Sequence, residues 1–213
     1  CQFDHVKSDF CEIRVMMRTD GLASDLRLYL ELWLEAAYSL PVVREGGVHV
    51  GHETIISELQ DATVSYSNAI GVGGGNFTCG PFSQAVMFHA KCEKDKYEQT
   101  VSLLGDVLFR RVFEKARLKH SVRNLLADIS EQRREGDVMA QAILKEALYD
   151  TADSNHHACN IIRQQRFLTQ ALTHLEDPAS DKVGADLNSL LLHLTSPPNL
   201  CIQVIADLHT LPS

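Results

Sequence analysis

Positive charge is scarce in this chain. Lys and Arg number 20 against 28 Asp and Glu, a formal net charge of −8. The only dense basic runs are Arg110–Arg111 and Arg133–Arg134. Nucleic acid and anionic membrane surfaces are bound by clustered Lys and Arg, so neither is expected as a partner. No apolar run approaches the ~18 residues that a membrane-crossing helix needs, and no secretory leader pattern is visible. None of the six cysteines, at 1, 11, 79, 92, 159 and 201, forms a CxxC pair. Scattered through apolar patterns in a chain of this size, they are expected as buried free thiols of a reducing, intracellular compartment, cytoplasmic or mitochondrial, rather than as a disulfide framework. GxSxG is absent, as are internal repeats and low-complexity stretches. The sequence starts at Cys1 and not Met, so it is expected to be a piece of a longer polypeptide.

What is present is ordinary globular composition. The chain has 213 residues, 45% apolar and 23% charged, enough to bury a core without covalent staples. Residues 1–10 are mixed and predict an incoming linker, with a single domain over 11–213. Cys11, Ile13 and Val15 alternate with Glu12 and Arg14, the period of a half-buried strand. Leu26, Leu30, Trp33, Leu34 and Ala37 recur at helical spacing after a capping Ser24 or Asp25. Residues 44–51 predict a loop and His52–Leu59 a short helix.

A hairpin follows and organises the rest. Val64, Tyr66 and Ile70 fall on one side of an alternating run, and Ser65, Ser67 and Ala69 on the other. Glycines at 71, 73, 74 and 75 supply the backbone freedom for a reversal. A second run carries Phe82, Val86, Phe88 and Cys92 on one side. Beyond it the period becomes helical. Tyr97, Val101, Leu104, Leu108 and Val112 mark one face, and Leu118, Val122, Leu125, Leu126 and Ile129 the next. Gly136 interrupts, and Met139, Ile143, Leu144, Ala147 and Leu148 resume. Two further stripes run through Ile161, Leu168, Leu172 and Leu175, and through Val183, Leu187, Leu190, Leu191 and Leu194. Pro197-Pro198 ends the last of these, and residues 200–208 read as an interior strand. Few strands and many helices around an antiparallel hairpin predict an α+β fold of two layers, a mostly antiparallel sheet covered by helices.

The candidate chemistry is thin. Gly71–Gly75 lacks the GxGxxG spacing and lies within a hairpin, so it reads as a turn. His49, His52 and Glu53 stand as HxxHE, neither HExxH nor HxxEH, and read as a loop and a helix start. His89 and Cys92 lie three apart on a strand and so face opposite ways. His156, His157 and Cys159 read as the start of a helix, because adjacent histidines diverge on one. No catalytic, cofactor-binding or metal-ligating residue is assigned.

Four stretches together carry a resemblance: FDHVKSDF (3–10), DLRLYLELWLEAAYSLPV (25–42), LQDATVSYSNAIG (59–71) and ISEQRREGDVMAQA (129–142). They resemble the pitrilysin/insulinase (inverzincin) family of metallopeptidases, nearest its presequence-protease-like members. The resemblance runs through essentially the whole chain as spaced elements rather than one diagnostic motif. It implies a two-layer α+β unit repeated in a long polypeptide whose halves close around an unfolded peptide. One unit holds zinc on an HxxEH helix, with a further Glu on a later helix. The other units wall the chamber and bind substrate. In this sequence Leu30, Trp33 and Leu34 fall about where His, Glu and His would stand, and only Glu131 falls near the position of the distant Glu. The resemblance therefore implies a non-catalytic unit, inactive alone and without its own cofactor. Its partners would be other units of the same polypeptide and a peptide substrate, with zinc in the catalytic unit of the parent, and the isolated piece could dimerise. A non-enzymatic scaffold of the same fold is the alternative.

Overall fold

The structure is a computed structural model that describes residues 1–149 and 151–210. The last three residues of the expected 11–213 domain lie outside the described residues. Strand β2 (Phe10–Arg18) is central. Cys11, Ile13, Val15 and Met17 are buried, while Glu12, Arg14 and Met16 between them are only partly so. The same alternation in β6 (Ala85–Glu93) buries Val86, Phe88, Ala90 and Cys92. The antiparallel register sets Ile13 opposite Ala90 and Val15 opposite Phe88, so both apolar sets share one face. Strand β5 (Ser65–Ile70) pairs antiparallel with β6 at the outer edge, completing the expected hairpin. Strand β7 (Leu200–Ala206) pairs antiparallel with the other side of β2, an interior position as its apolar run predicts.

The first residues depart from expectation. Gln2–His5, read as part of a linker, form a strand β1 that pairs parallel with β7. Four residues carry too little pattern to announce a strand, and what defines this one is the free edge of β7. Among the described residues the main sheet is thus β1-β7-β2-β6-β5, three antiparallel pairings and one parallel. Residues 44–51, expected as a loop, are another correction. Val42–Arg44 (β3) and Val48–Val50 (β4) make a two-stranded ribbon around Gly46 and Gly47, both at positive φ.

Helices cover the apolar face of the sheet. The expected helix after β2 is broken into α1 (Ser24–Arg27) and α2 (Leu30–Glu35). After α3 (His52–Ala62) and the hairpin come α4 (Tyr97–Phe109), α5 (Lys115–Gln132), α6 (Gly136–Leu148), α7 (Asn155–Ala158), α8 (Ile161–Glu176) and α9 (Lys182–Leu194). The stripes of α5, α8 and α9 are buried as read: Leu118, Val122, Leu125 and Ile129, then Leu168 and Leu175, then Val183, Leu187, Leu190 and Leu194. In α4 the stripe stops short of Val112. The chain has already left the helix, and the Val112 N–H donates to the Pro41 carbonyl. In α6 the stripe is displaced. Only Ala142 is buried, where the Asn160 amide donates to its carbonyl, and Ile143, Leu144 and Leu148 are exposed. No helix among the described residues is long and apolar enough to cross a membrane.

Candidate functional site

Every residue of α2 but its last is buried, because the helix is wedged between the sheet and α5. Trp33 meets the edge of Phe88 from β6, ring centres 5.5 Å apart. Its own ring is covered by the Arg111 guanidinium at 4.2 Å, which also donates to the Trp33 carbonyl at 3.1 Å. Zinc requires N, S or O lone pairs. Leu30 and Leu34 carry none, and the indole N–H of Trp33 can only donate. These residues do not fit a metal.

Two carboxyl groups stand on this helix. Glu31 is fully buried and accepts a hydrogen bond from the Phe77 N–H at 3.1 Å. Burial pushes its pKa well up, the nearby Cys79 adding to this, so the neutral carboxyl is favoured. Glu35 is pushed up by burial as well, opposed by a hydrogen bond from the Asn124 amide of α5. Both line a cavity of about 150 Å³ with Tyr38, Asn68 and Asn76. Across it Asn76 donates to Asp128 at 3.0 Å. Glu131 is exposed on the last turn of α5, and it is Asn124 that meets the Glu35 carboxylate.

The other titratable candidates remain apart. His49 lies exposed on β4, and His52 starts α3. His89 faces away from Cys92: the ring lies 3.7 Å from Glu12 on one side of the sheet, while the thiol is buried on the other beside Cys11. His156 stacks on Tyr149 with centres 4.3 Å apart, and the His157 Nδ1 lies 3.0 Å from the Tyr149 carbonyl oxygen. Among the described residues no three His, Cys, Asp or Glu side chains gather as a metal ion would need.

The second face of the sheet was not singled out from the sequence. Arg14, Met16, Met87, His89 and Gln203 project from β2, β6 and β7. With Ser67 and Ala69 of β5 and the hairpin loop they floor an open groove of about 710 Å³. Its walls are strands and loop only, with no helix among them. Phe82 stands at its rim, 74% exposed, with its backbone in the left-handed region at φ 58°. A non-glycine residue in this region carries a steric cost that the surrounding loop must hold in place. This corrects the expectation that Phe82 continues the strand: residues 71–84 form a compact loop, and β6 starts at Ala85. Polar charges flank the methionines. Arg14 donates to Glu12 at 2.9 Å, and Lys91 lies 4.0 Å from the same carboxylate. Burial lowers the pKa of His89 despite Glu12, which favours a neutral imidazole. The signal lay in the period-two pattern: Arg14 and Met16, Met87 and His89 occupy the positions that alternate with the core.

Fold and site together define a two-layer α+β unit whose buried helix α2 packs Leu30, Trp33 and Leu34 into the core, and whose open sheet face is a mixed groove. No family model matches the chain. It is 22% identical over 216 residues to an uncharacterized protein of Schizosaccharomyces pombe, a match that takes in 99% of this chain and 20% of that protein. The chain therefore spans about one fifth of the length of this curated relative. Among solved structures, the peptidase M16 inactive domain of Pseudomonas fluorescens superposes with a TM-score of 0.63 at 17% identity, over 97% of this chain and 43% of that one. A conserved protein of Enterococcus faecalis gives the same TM-score at 13% identity, over 97% of this chain and 46% of the other. The chain shares their fold.

Proposed function

We propose that this chain is a non-catalytic, substrate-enclosing unit of a zinc-dependent metalloendopeptidase of the pitrilysin/insulinase (M16) family, one that degrades peptides inside the cell. The observation that carries the reading is the α2 helix. Leu30, Trp33 and Leu34 are sealed in the core of a fold shared with an inactive domain of that peptidase class. A unit without donors contributes surface. The groove over β2, β5 and β6 suits an extended peptide, with methionines that adapt to apolar side chains and Arg14, His89 and Gln203 to meet polar ones. Zinc would sit in another unit of the same polypeptide, and that unit would supply the chemistry.

The test uses the full-length protein. A peptide substrate carrying a photoreactive benzoyl group is cross-linked, and its attachment sites are mapped by mass spectrometry. Adducts on Met16, Phe82 or Met87 are expected, competed away by unlabelled peptide. Adducts confined to other units would remove this one from substrate binding, and absence of any peptide turnover by the full-length protein would favour a scaffold.

A further inference from the structure

The sulfurs of Cys79 and Cys159 lie 3.2 Å apart although the residues are 80 positions apart in sequence. We propose that these two thiols form a dithiol–disulfide site, oxidised by a hydroperoxide that enters the adjoining cavity. Nothing in the proposal depends on peptide binding.

Both cysteines are carried on segments fastened to each other, so their approach is built into the fold. Cys79 belongs to the loop between β5 and β6. That loop is held by reciprocal backbone bonds between Gly75 and Thr78, by the Gly80 N–H donating to the Ile70 carbonyl, and by the Phe77 N–H donating to Glu31. Phe77 is buried with its backbone at φ 64°, a conformation kept only where the surroundings enforce it. Cys159 ends α7, and its N–H donates to the Asn155 carbonyl. Asn155 is in turn tied to the loop, its amide donating to the Ser83 carbonyl at 2.7 Å, while the Gln84 amide donates to the Asp153 carbonyl at 3.0 Å. Two hydrogen bonds thus tie the loop to α7 and the residues just before it.

A cavity of about 240 Å³ opens onto both sulfurs, lined also by Lys145, His156, Gln132 and Gln141. Its size, and a lining that mixes apolar side chains such as Phe77, Val138 and Ile161 with these polar ones, suit hydrogen peroxide or a small organic hydroperoxide. Cys159 is almost fully buried and Cys79 is partly open, so Cys79 is the sulfur that meets the oxidant. Its thiolate attacks one peroxide oxygen. The O–O bond breaks, hydroxide leaves to be protonated to water, and Cys79 becomes a sulfenic acid. The Cys159 thiol then attacks that sulfur, the S–O bond breaks, and a second water leaves with the Cys159 proton. In sum two thiols and one hydrogen peroxide give one disulfide and two waters. A dithiol reductant reverses the state by exchange. The product would lock the hairpin loop onto α7 and narrow the cavity between them.

The experiment treats the full-length protein with hydrogen peroxide, blocks remaining thiols by alkylation, and maps non-reduced peptides by mass spectrometry. A Cys79–Cys159 cross-linked pair is expected, lost on dithiothreitol treatment and absent from Cys79→Ser and Cys159→Ser. In Cys159→Ser the sulfenic acid on Cys79 should persist and be trapped by dimedone, whereas in Cys79→Ser the Cys159 thiol should stay alkylatable only after unfolding. Because the cross-link is read in the wild-type protein, poor folding of a variant does not decide the matter. The proposal is overturned if wild-type Cys79 proceeds to sulfinic acid while Cys159 stays free. A disulfide formed instead between Cys11 and Cys92, or no disulfide at all, overturns it equally.

Discussion

The Arg111 guanidinium carbon lies 4.2 Å from the centre of the Trp33 ring, and its Nε and one terminal nitrogen have no hydrogen-bond partner among the described residues. Burial lowers the pKa of this arginine to about 9, with Tyr38 opposing. What Arg111 contributes is the plane of its side chain and one hydrogen bond, against the cost of burying an ion. Arg111→Met keeps most of the volume and removes the ion, at the cost of the same hydrogen bond to the Trp33 carbonyl, so stability should fall by only ~1 kcal/mol. Arg111→Ala opens a cavity and leaves the Trp33 carbonyl unpaired, a loss of ~3 kcal/mol. Urea unfolding of the two variants tests the ordering, and equal losses would show that the charge itself matters.

Glu31 should make stability fall as pH rises. Burial raises its folded-state pKa, while in the unfolded chain it titrates near its ordinary 4.5. Above that pH the unfolded state releases a proton that the folded state keeps, so unfolding is favoured by up to ~1.4 kcal/mol per pH unit until the folded pKa is reached. Glu31→Gln retains an acceptor for the Phe77 N–H and cannot ionise. It should match wild type near pH 4 and exceed it at pH 8 in thermal melts. Parallel curves for the two proteins would count against a neutral Glu31.

Phe82→Gly separates stability from binding. Glycine accepts positive φ without the steric cost that Phe82 bears, so the fold should gain ~0.5–1 kcal/mol. The same change strips the rim of the groove, so peptide cross-linking to this unit should weaken several-fold. A variant that is both less stable and unchanged in binding would contradict both halves of this expectation.

Two glycines should respond oppositely to alanine. A Cβ on Gly74 would lie 2.3 Å from the Ile70 carbonyl oxygen and 2.8 Å from that of Thr78, both backbone atoms. Gly74→Ala should cost ~2–3 kcal/mol and loosen the loop. Gly105, inside α4, has nothing within 4 Å of the added methyl. Gly105→Ala should stabilise by up to ~1 kcal/mol through helix propensity. Denaturant midpoints of the pair check this directly.

Much of the fold was legible because burial on one face imposes a period. Ile13, Val15 and Val86, Phe88 announce strands, and Leu118 to Ile129 a helix, since each set meets a single apolar layer. Gln2–His5 escaped because a parallel edge strand is defined by its neighbour. Val42–Arg44 and Val48–Val50 escaped because three residues cannot show alternation. In α6 the pattern was right and the burial was not: Ile143, Leu144 and Leu148 have the spacing of a core face but are exposed among the described residues. For the site, the residue types at Leu30, Trp33 and Leu34 are readable directly as lacking metal-binding lone pairs, but that these positions matter is what the family resemblance implies. The Cys79–Cys159 approach was not, because sequence spacing carries no information about a loop and a helix end brought together across 80 residues.

Among the described residues strand β1 pairs only with β7, Gln2 beside Gln203. A ribosome making the chain at ~5–20 residues per second would release the two strands roughly 10–40 s apart. For that interval the first strand is without the β7 edge it pairs with in the fold. One of the two edges of the sheet is thus its earliest-made part and among the last to be stitched in.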